Sequence, residues 1–358
     1  MLTLYFAYAV YGFTFAFLGL SVQYELVNKY GYGPSELTFA WSSVSLPWAF
    51  KPLYGYMSDM FGRRVCVSVG SMLSGVCLAY LPHFGNQLVL GLTLSSLFMC
   101  FADVASDCIV VINTKKHGKA LQSTCWTARS FGGMIGTGLS GVAYKFIGFQ
   151  TAQLSSVGLF MLSLVIWNIE EPSQTRSSFK DAFKSVANMR YILVVAIFYE
   201  LMPEIDNALF PTIQSKLQPV EISMTSIVGS ISACFISYFY QYMSNDRLIM
   251  RIAVALSIAS GILAFWTYNV KDILFVECLR SVVGGCAGML VVLPLVTRAA
   301  QTSSNGSEGV SYALFVSVMN LSGVIGETCE GFLLKSINDT GLFIITATII
   351  SWLPLLVI

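Results

Sequence analysis

The stretch Pro47–Arg64, PWAFKPLYGYMSDMFGRR, decides how this chain folds. Its second half has the form G-x-x-x-D-x-x-G-R-R, in which Gly55, Asp59, Gly62, Arg63 and Arg64 close a hydrophobic run in a very short charged turn. Glycines let two helices approach until their backbones nearly touch. The aspartate can accept hydrogen bonds from a neighbouring helix N-terminus, and the arginines are expected to stay in a cytosolic headgroup layer. A plain basic stop after a hydrophobic helix accounts for Arg-Arg alone, but not for the glycines and the aspartate at this spacing. The first half puts Lys51 between Pro47 and Pro52, inside the apolar run itself. A lysine near a bilayer centre costs about 3 kcal/mol on insertion scales, so a chain that keeps one turns it toward a polar cavity or an internal partner.

Composition fixes the surroundings of that lysine. The 358 residues are 55% hydrophobic and only 11% charged, with a mean hydropathy of +0.70, whereas a soluble domain carries about a quarter charged residues. The chain reads as an all-α, multi-pass membrane protein surrounded by membrane lipid. A net charge of +1 with no long block of like charge makes no case for nucleic acid. Only His83 and His117 are available as histidines, so neither a metal site nor histidine-based catalysis has material, and no enzyme activity and no cofactor is expected. The nine cysteines fall mostly in apolar runs without a C-x-x-C pair, which predicts no disulfide framework. Residues 1–20 lack a basic leader and a small-residue cleavage site, so they read as a first span. No phosphate-binding loop motif occurs, which removes ATP as a driver.

An α-helical span needs about 20 mostly apolar residues. The chain divides into twelve such runs, with cores near 3–22, 38–57, 65–82, 88–111, 121–144, 151–168, 190–212, 222–242, 249–268, 273–297, 309–333 and 341–357. The longest polar connection, 170–188, follows the sixth and predicts two six-helix bundles, 1–169 and 189–358, with a linker between them. With the amino terminus inside, inner loops carry twelve basic residues, outer loops carry five, and three lie within spans, which accounts for all 20. That bias predicts both termini and the linker to be cytoplasmic. Tyr56-Met57-Ser58-Asp59 before Arg63 is echoed by Tyr242-Met243-Ser244-Asn245 before Arg247, a short repeat that agrees with related halves.

Helical rise lets the depth of each intramembrane charge be compared. Lys51 in the second span, Asp103 in the fourth and Arg129 in the fifth each lie eight residues from an inner helix end, about 12 Å deep. Opposite charges at one depth can meet, and Asp107 shares a helix face with Asp103. The set is expected either to line a substrate or proton path or to lock the first bundle as a buried ion pair. In the second half Glu204, Asp206, Arg280 and Glu327 lie about 20 to 27 Å above the inner face. Pro203 is expected to break or kink the seventh span beside those carboxylates, and Pro211 to do so again near its outer end. If that helix ends early, Glu204 is instead a solvated loop residue. Trp126 is either a stacking platform or a packing residue.

Several segments resemble one family closely. KPLYGYMSD at 51–59, ADVASDCIVV at 102–111, LQSTCWTARSFGG at 121–133 and PEIDNALFPTIQSKL at 203–217 are similar to the folate–biopterin transporters of the major facilitator superfamily. The seventh-span segment carries Asp206-Asn207 where two acidic residues are expected. The resemblance implies a major facilitator fold of twelve transmembrane helices in two halves and a monomeric secondary carrier. It implies alternating-access transport of a pteridine or folate-like metabolite, coupled to protons. Lys51, Arg129 and Arg280 would then attract a substrate carboxylate, while Asp103, Asp107, Glu204 and Asp206 bind ring nitrogens or carry protons and Trp126 stacks on the ring. Glu327 joins the second-half set, and Gly55, Asp59, Gly62, Arg63 and Arg64 form a conformational gate. Another small solute, such as S-adenosylmethionine, a nucleoside or a sugar, or a non-transporting receptor role, remains the alternative.

Overall fold

A computed structural model describes residues 1–169, 179–303 and 308–358 of the chain; residues 170–178 of the linker, Arg176 among them, lie outside the described residues, as do the side chains of Lys115 and Lys116. Every described element is helical. In order they are α1 (Leu2–Asn28), α2 (Pro34–Ser45), a 3-10 turn (Leu46–Phe50), α3 (Lys51–Phe61), α4 (Arg63–Tyr80), α5 (Leu88–His117), α6 (Lys119–Ile147) and α7 (Thr151–Val165). They continue as α8 (Phe179–Asn188), α9 (Arg190–Glu200), α10 (Asp206–Lys216), α11 (Pro219–Phe239), α12 (Asp246–Asn269), α13 (Leu274–Thr302), α14 (Glu308–Ile337) and α15 (Thr340–Ile350).

The burial pattern is that of a protein dissolved in lipid. Large apolar side chains such as Phe146, Leu164, Phe275 and Ile349 stand exposed on the outside, while Ser74, Ser123, Ser140 and Thr267 are buried between helices. An apolar exterior of this size would drive association in water, but against acyl chains it carries no such penalty. Eight described segments are long and apolar enough to cross a membrane alone, and one of them, Lys119–Asn168, contains both α6 and α7. The expected count of twelve is therefore not matched by twelve such segments. The runs expected as the second, seventh and twelfth spans consist of shorter pieces: α2 with α3, α9 with α10, and α15. Amphipathic α8 meets α9 at 79°, so it does not extend that span.

Small residues set the tightest contact. A methyl group built on Gly132 would lie 1.9 Å from the Ala9 carbonyl oxygen, and one on Gly12 would lie 1.9 Å from the Arg129 carbonyl oxygen. Helices α1 and α6 thus touch backbone to backbone, and this contact fixes where Arg129 starts its reach into the bundle. Around it α1 packs on α6 and α7, and α4 on α5 and α7. Later in the chain α11 packs on α13 and α12 on α13 and α15, while α6–α11 and α2–α14 join the early helices to the late ones. Ser42 and Thr328 hydrogen-bond across α2–α14 at 2.8 Å, and Ser223 accepts from the Gly141 N–H across α6–α11 at 2.7 Å.

Prolines shape the second and seventh spans in different ways. The second span is not one helix over 38–57: Pro47 opens a 3-10 turn and Pro52 lies in the first turn of α3, where its missing N–H costs nothing. In the seventh, Pro203 lies in the expected break, residues 201–205, and Pro211 lies inside α10, where it forfeits one backbone bond without ending the helix. Arg63 is buried against the neighbouring helices, with 3% of its side chain exposed.

Candidate functional site

Because α3 begins at Lys51, directly after the 3-10 turn, the lysine enters the bundle from a helix end inside the protein. Its ammonium donates to Asp103 Oδ2 at 2.9 Å and Asp107 Oδ2 at 3.3 Å. The guanidinium of Arg129 donates to the other oxygen of Asp103 at 3.2 Å, and the Tyr8 hydroxyl donates to Asp107 at 2.5 Å. The three depths counted along separate helices thus converge on one cluster of two cations and two anions. Lys51 also lies 4.9 Å from the Trp48 ring centroid, and Arg129 5.4 Å from that of Trp126 and 5.8 Å from that of Phe15. Members of the cluster differ in access. Only 5% of the Lys51 side chain and 3% of Asp103 are exposed, against 22% of Arg129.

The second-half charges divide into two groups. Arg280 takes both oxygens of Glu277, at 2.8 Å through Nε and 2.6 Å through Nη2, and its Nη1 donates to Asp206. The remaining carboxylates gather around the α9–α10 break. Glu200 ends α9, Glu204 is exposed within the break, and its backbone N–H donates to Glu330 at 2.8 Å. Thr38 on α2 donates to the second Glu330 oxygen at 3.3 Å. Glu327, one turn earlier on α14, has its Oε2 buried without a hydrogen-bond partner among the described residues. No lysine or arginine among the described residues pairs with Glu200, Glu204, Glu327 or Glu330, and no cluster of metal-ligating side chains occurs among them.

Three cavities adjoin these groups. A cavity of about 550 Å³ is lined by Arg129, Phe15 and Trp48 on one side and by Glu200, Asn320 and Glu327 on the other. A second, of about 500 Å³, shares Phe15 and Ala16 with the first and reaches Asp206, Glu277 and Arg280. A third, of about 350 Å³, runs past Glu200, Glu204, Asp206 and Arg280. Of the residues expected at a site, Arg129, Glu204, Asp206, Arg280 and Glu327 therefore face cavities. Lys51, Asp103, Asp107 and Trp126 line none of the three; they stand behind or beside Arg129. Sequence reading missed Trp48, Glu277 and Glu330. Each lies three residues from a recognised charge, Lys51, Arg280 and Glu327 respectively, a spacing that within α13 and α14 places both residues on one helical face.

The charged turn has a different construction from the expected one. Gly62 alone joins α3 to α4, with φ 91° and ψ 137°, a conformation that strains any side-chain-bearing residue. Arg63 donates across it to Asp59 at 3.2 Å. Crowding does not account for Gly55, where an added methyl would meet Ala313 at an ordinary 3.5 Å. At the repeated position, Asn245 caps α12 through the Leu248 N–H at 3.1 Å, and the charge moves one residue on to Asp246, which pairs with Arg298 at 2.7 Å. Lys119 at the start of α6 donates to the Met243 carbonyl at 2.5 Å, tying this second turn to the early helices.

Comparison with known proteins agrees with the resemblance on motif residues. A model of the BT1 family matches residues 11–358. The folate-biopterin transporter of Synechocystis is 26% identical over 360 residues, covering 91% of this chain and 72% of that protein. Folate transporter 1 of Plasmodium falciparum is 24% identical, over 95% of this chain and 72% of its own. In fold, the human organic anion transporter MFSD10 superposes with a TM-score of 0.75 at 14% identity, covering 99% of this chain and 97% of that one. The nucleoside transporter NupG superposes with a TM-score of 0.72 at 12% identity, over 99% and 98%. The architecture is that of the major facilitator transporters.

Proposed function

Because the chain belongs to the BT1 family, and is with it a multi-pass membrane transporter, we propose that it carries a pteridine or folate-like metabolite by proton-coupled alternating access. The observation that carries this reading is the chemistry of the 550 Å³ cavity, a volume within the usual range for small-molecule sites. A flat heterocycle with adjacent ring N–H groups and an oxygen-bearing edge needs donors on one side, a carboxylate on the other and aromatic surface on its faces. Arg129 supplies the donors, Glu327 or Glu200 accepts from the N–H pair, and Phe15 and Trp48, 5.7 Å apart, supply the rings. In this assignment Trp48 takes the stacking role expected of Trp126, and Trp126 holds the far side of Arg129.

The division into bundles 1–169 and 189–358 gives this cavity a mechanism. Arg129, Phe15 and Trp48 belong to the first bundle, Glu200, Asn320 and Glu327 to the second, so a bound substrate bridges both and biases how they rock. Protons load onto Glu200, Glu204 and Glu327 around the α9–α10 break, which have no cation as partner among the described residues and face cavities. Both termini and the linker are cytoplasmic, the carrier works as a monomer, and the Gly55–Arg64 turn is its inner gate.

Thermal stability of purified protein tests the substrate class. Folate and biopterin are expected to raise the melting temperature with rising concentration, because a ligand of the folded state stabilises it. Stabilisation by S-adenosylmethionine, nucleosides or sugars without any by pteridines overturns the assignment. In proteoliposomes an imposed proton gradient is expected to drive accumulation, and accumulation unaffected by that gradient removes the coupling.

The gate yields a separate expectation. Asp59→Ala breaks the Asp59–Arg63 contact across Gly62, and neither residue lines the cavity, so transport is expected to slow while pteridine affinity stays within about twofold. An unchanged rate at normal abundance excludes Asp59 from gating.

A further inference from the structure

Arg280 holds two acids on unequal terms. Glu277 lies one turn earlier on the same helix, is 3% exposed, takes two of the guanidinium donors and is itself held by Thr267 at 3.3 Å. It is a fixed counter-ion. Asp206 is 70% exposed, opens α10 on the far side of the break, and takes only Nη1. One edge of Arg280 is therefore permanently neutralised, while the other, facing the 500 Å³ and 350 Å³ cavities, is filled by a side chain that water already reaches.

We propose that Asp206 stands in for a carboxylate of the transported molecule, and that an anionic arm of the substrate displaces Asp206 and binds the Nη1 edge of Arg280. This rests on the reading above that the heterocycle occupies the Arg129 cavity. Phe15 and Ala16 line both that cavity and the one reaching Arg280, so one elongated molecule can lie in both. Part of the lining of the cavity that reaches Arg280 is small or hydroxyl-bearing, Gly19, Ser226, Gly229, Ser230 and Gly284 among it, beside the bulkier Leu20 and Phe210. The exchange swaps one carboxylate for another, so Arg280 is never left as an uncompensated charge, and the cost that usually follows from breaking a partly buried pair does not arise. Occupancy then reports itself to the fold: Asp206, once released, no longer ties the start of α10 to α13. A pteridine without a carboxylate fills the Arg129 cavity alone and leaves Asp206 in place.

Two probes separate the sites: biopterin, which has no carboxylate, and folate, whose glutamyl arm has two. Asp206→Asn removes the internal competitor, so folate is expected to bind about tenfold tighter while biopterin stays within about twofold. Arg280→Gln is made together with Glu277→Gln, so that no buried carboxylate is stranded. In that variant folate is expected to lose about tenfold or more and biopterin to bind as before, which also reports that the protein is folded. Asp206→Asn added to this double variant is expected to give no gain, because the gain runs through Arg280 and not through net charge. Equal effects on both probes, or a folate gain that persists without Arg280, overturn the proposal while leaving the heterocycle site intact. Failure of both probes to bind the unmodified protein overturns the two readings together.

Discussion

Lys51→Met is expected to deplete the folded, inserted protein. The ammonium is shared by Asp103 and Asp107, and its loss leaves two buried carboxylates with one guanidinium and one tyrosine hydroxyl between them. Removing one partner from a buried ion pair typically costs about 3–5 kcal/mol, because the remaining charge has no water to return to. A charge-balanced second change is expected to undo this, and the geometry says which one. Asp107→Asn leaves Asp103 free to hold Arg129 and keeps an oxygen for the Tyr8 hydroxyl. Asp103→Asn balances the charge equally well but leaves Arg129 a neutral amide in place of the carboxylate that aims it. Melting temperatures are therefore expected in the order Lys51→Met lowest, Lys51→Met with Asp103→Asn next, and Lys51→Met with Asp107→Asn highest. A Lys51→Met protein as stable as the unmodified one would place the lysine against water, and so inside the transport path.

That cluster is the most legible part of the site, for a physical reason. Charges are so rare in this chain that each stands out, and the regular rise of a helix converts position into depth without knowledge of packing. The same counting cannot tell a cavity wall from a sealed interior. Lys51 and Arg129 are equally deep, yet one is closed in by Asp103, Asp107 and Trp48 and the other reaches the cavity. Access depends on helix rotation, and rotation depends on contacts such as the Gly12–Arg129 backbone approach, which one glycine among 29 does not announce. Crossings made of one long apolar helix are legible from composition. The second crossing reads as one helix because its apolar run continues past two prolines five residues apart, whereas in the fold each proline begins a new segment. Asn245 illustrates the limit of the internal repeat: the motif recurs, but cap and ion pair are divided between Asn245 and Asp246 where the first half uses Asp59 in the pairing with Arg63.

Arg129→Gln with Asp107→Asn is expected to give a stable carrier that no longer binds or moves pteridines. The double variant keeps the cluster neutral, since Lys51 and Asp103 remain as a pair at 2.9 Å and the introduced amide stays beside the Tyr8 hydroxyl. The cavity, however, loses its lining cation while keeping Glu200, Glu327, Phe15 and Trp48. Truncating one partner of a buried, hydrogen-bonded charge contact costs about 2–5 kcal/mol of binding, so affinity is expected to fall at least about thirtyfold. The matched control is Lys51→Met with Asp107→Asn, which has the same net charge and the same number of buried ions but retains Arg129 on Asp103. It is expected to keep binding and uptake. Both proteins are compared by melting temperature, pteridine binding and proteoliposome uptake, so that loss of fold is read separately from loss of site. Uptake surviving in the Arg129 variant would remove that residue from the substrate contact. A stable but inactive Lys51 variant would instead return the lysine to the transport path, because nothing but its charge would then distinguish the two.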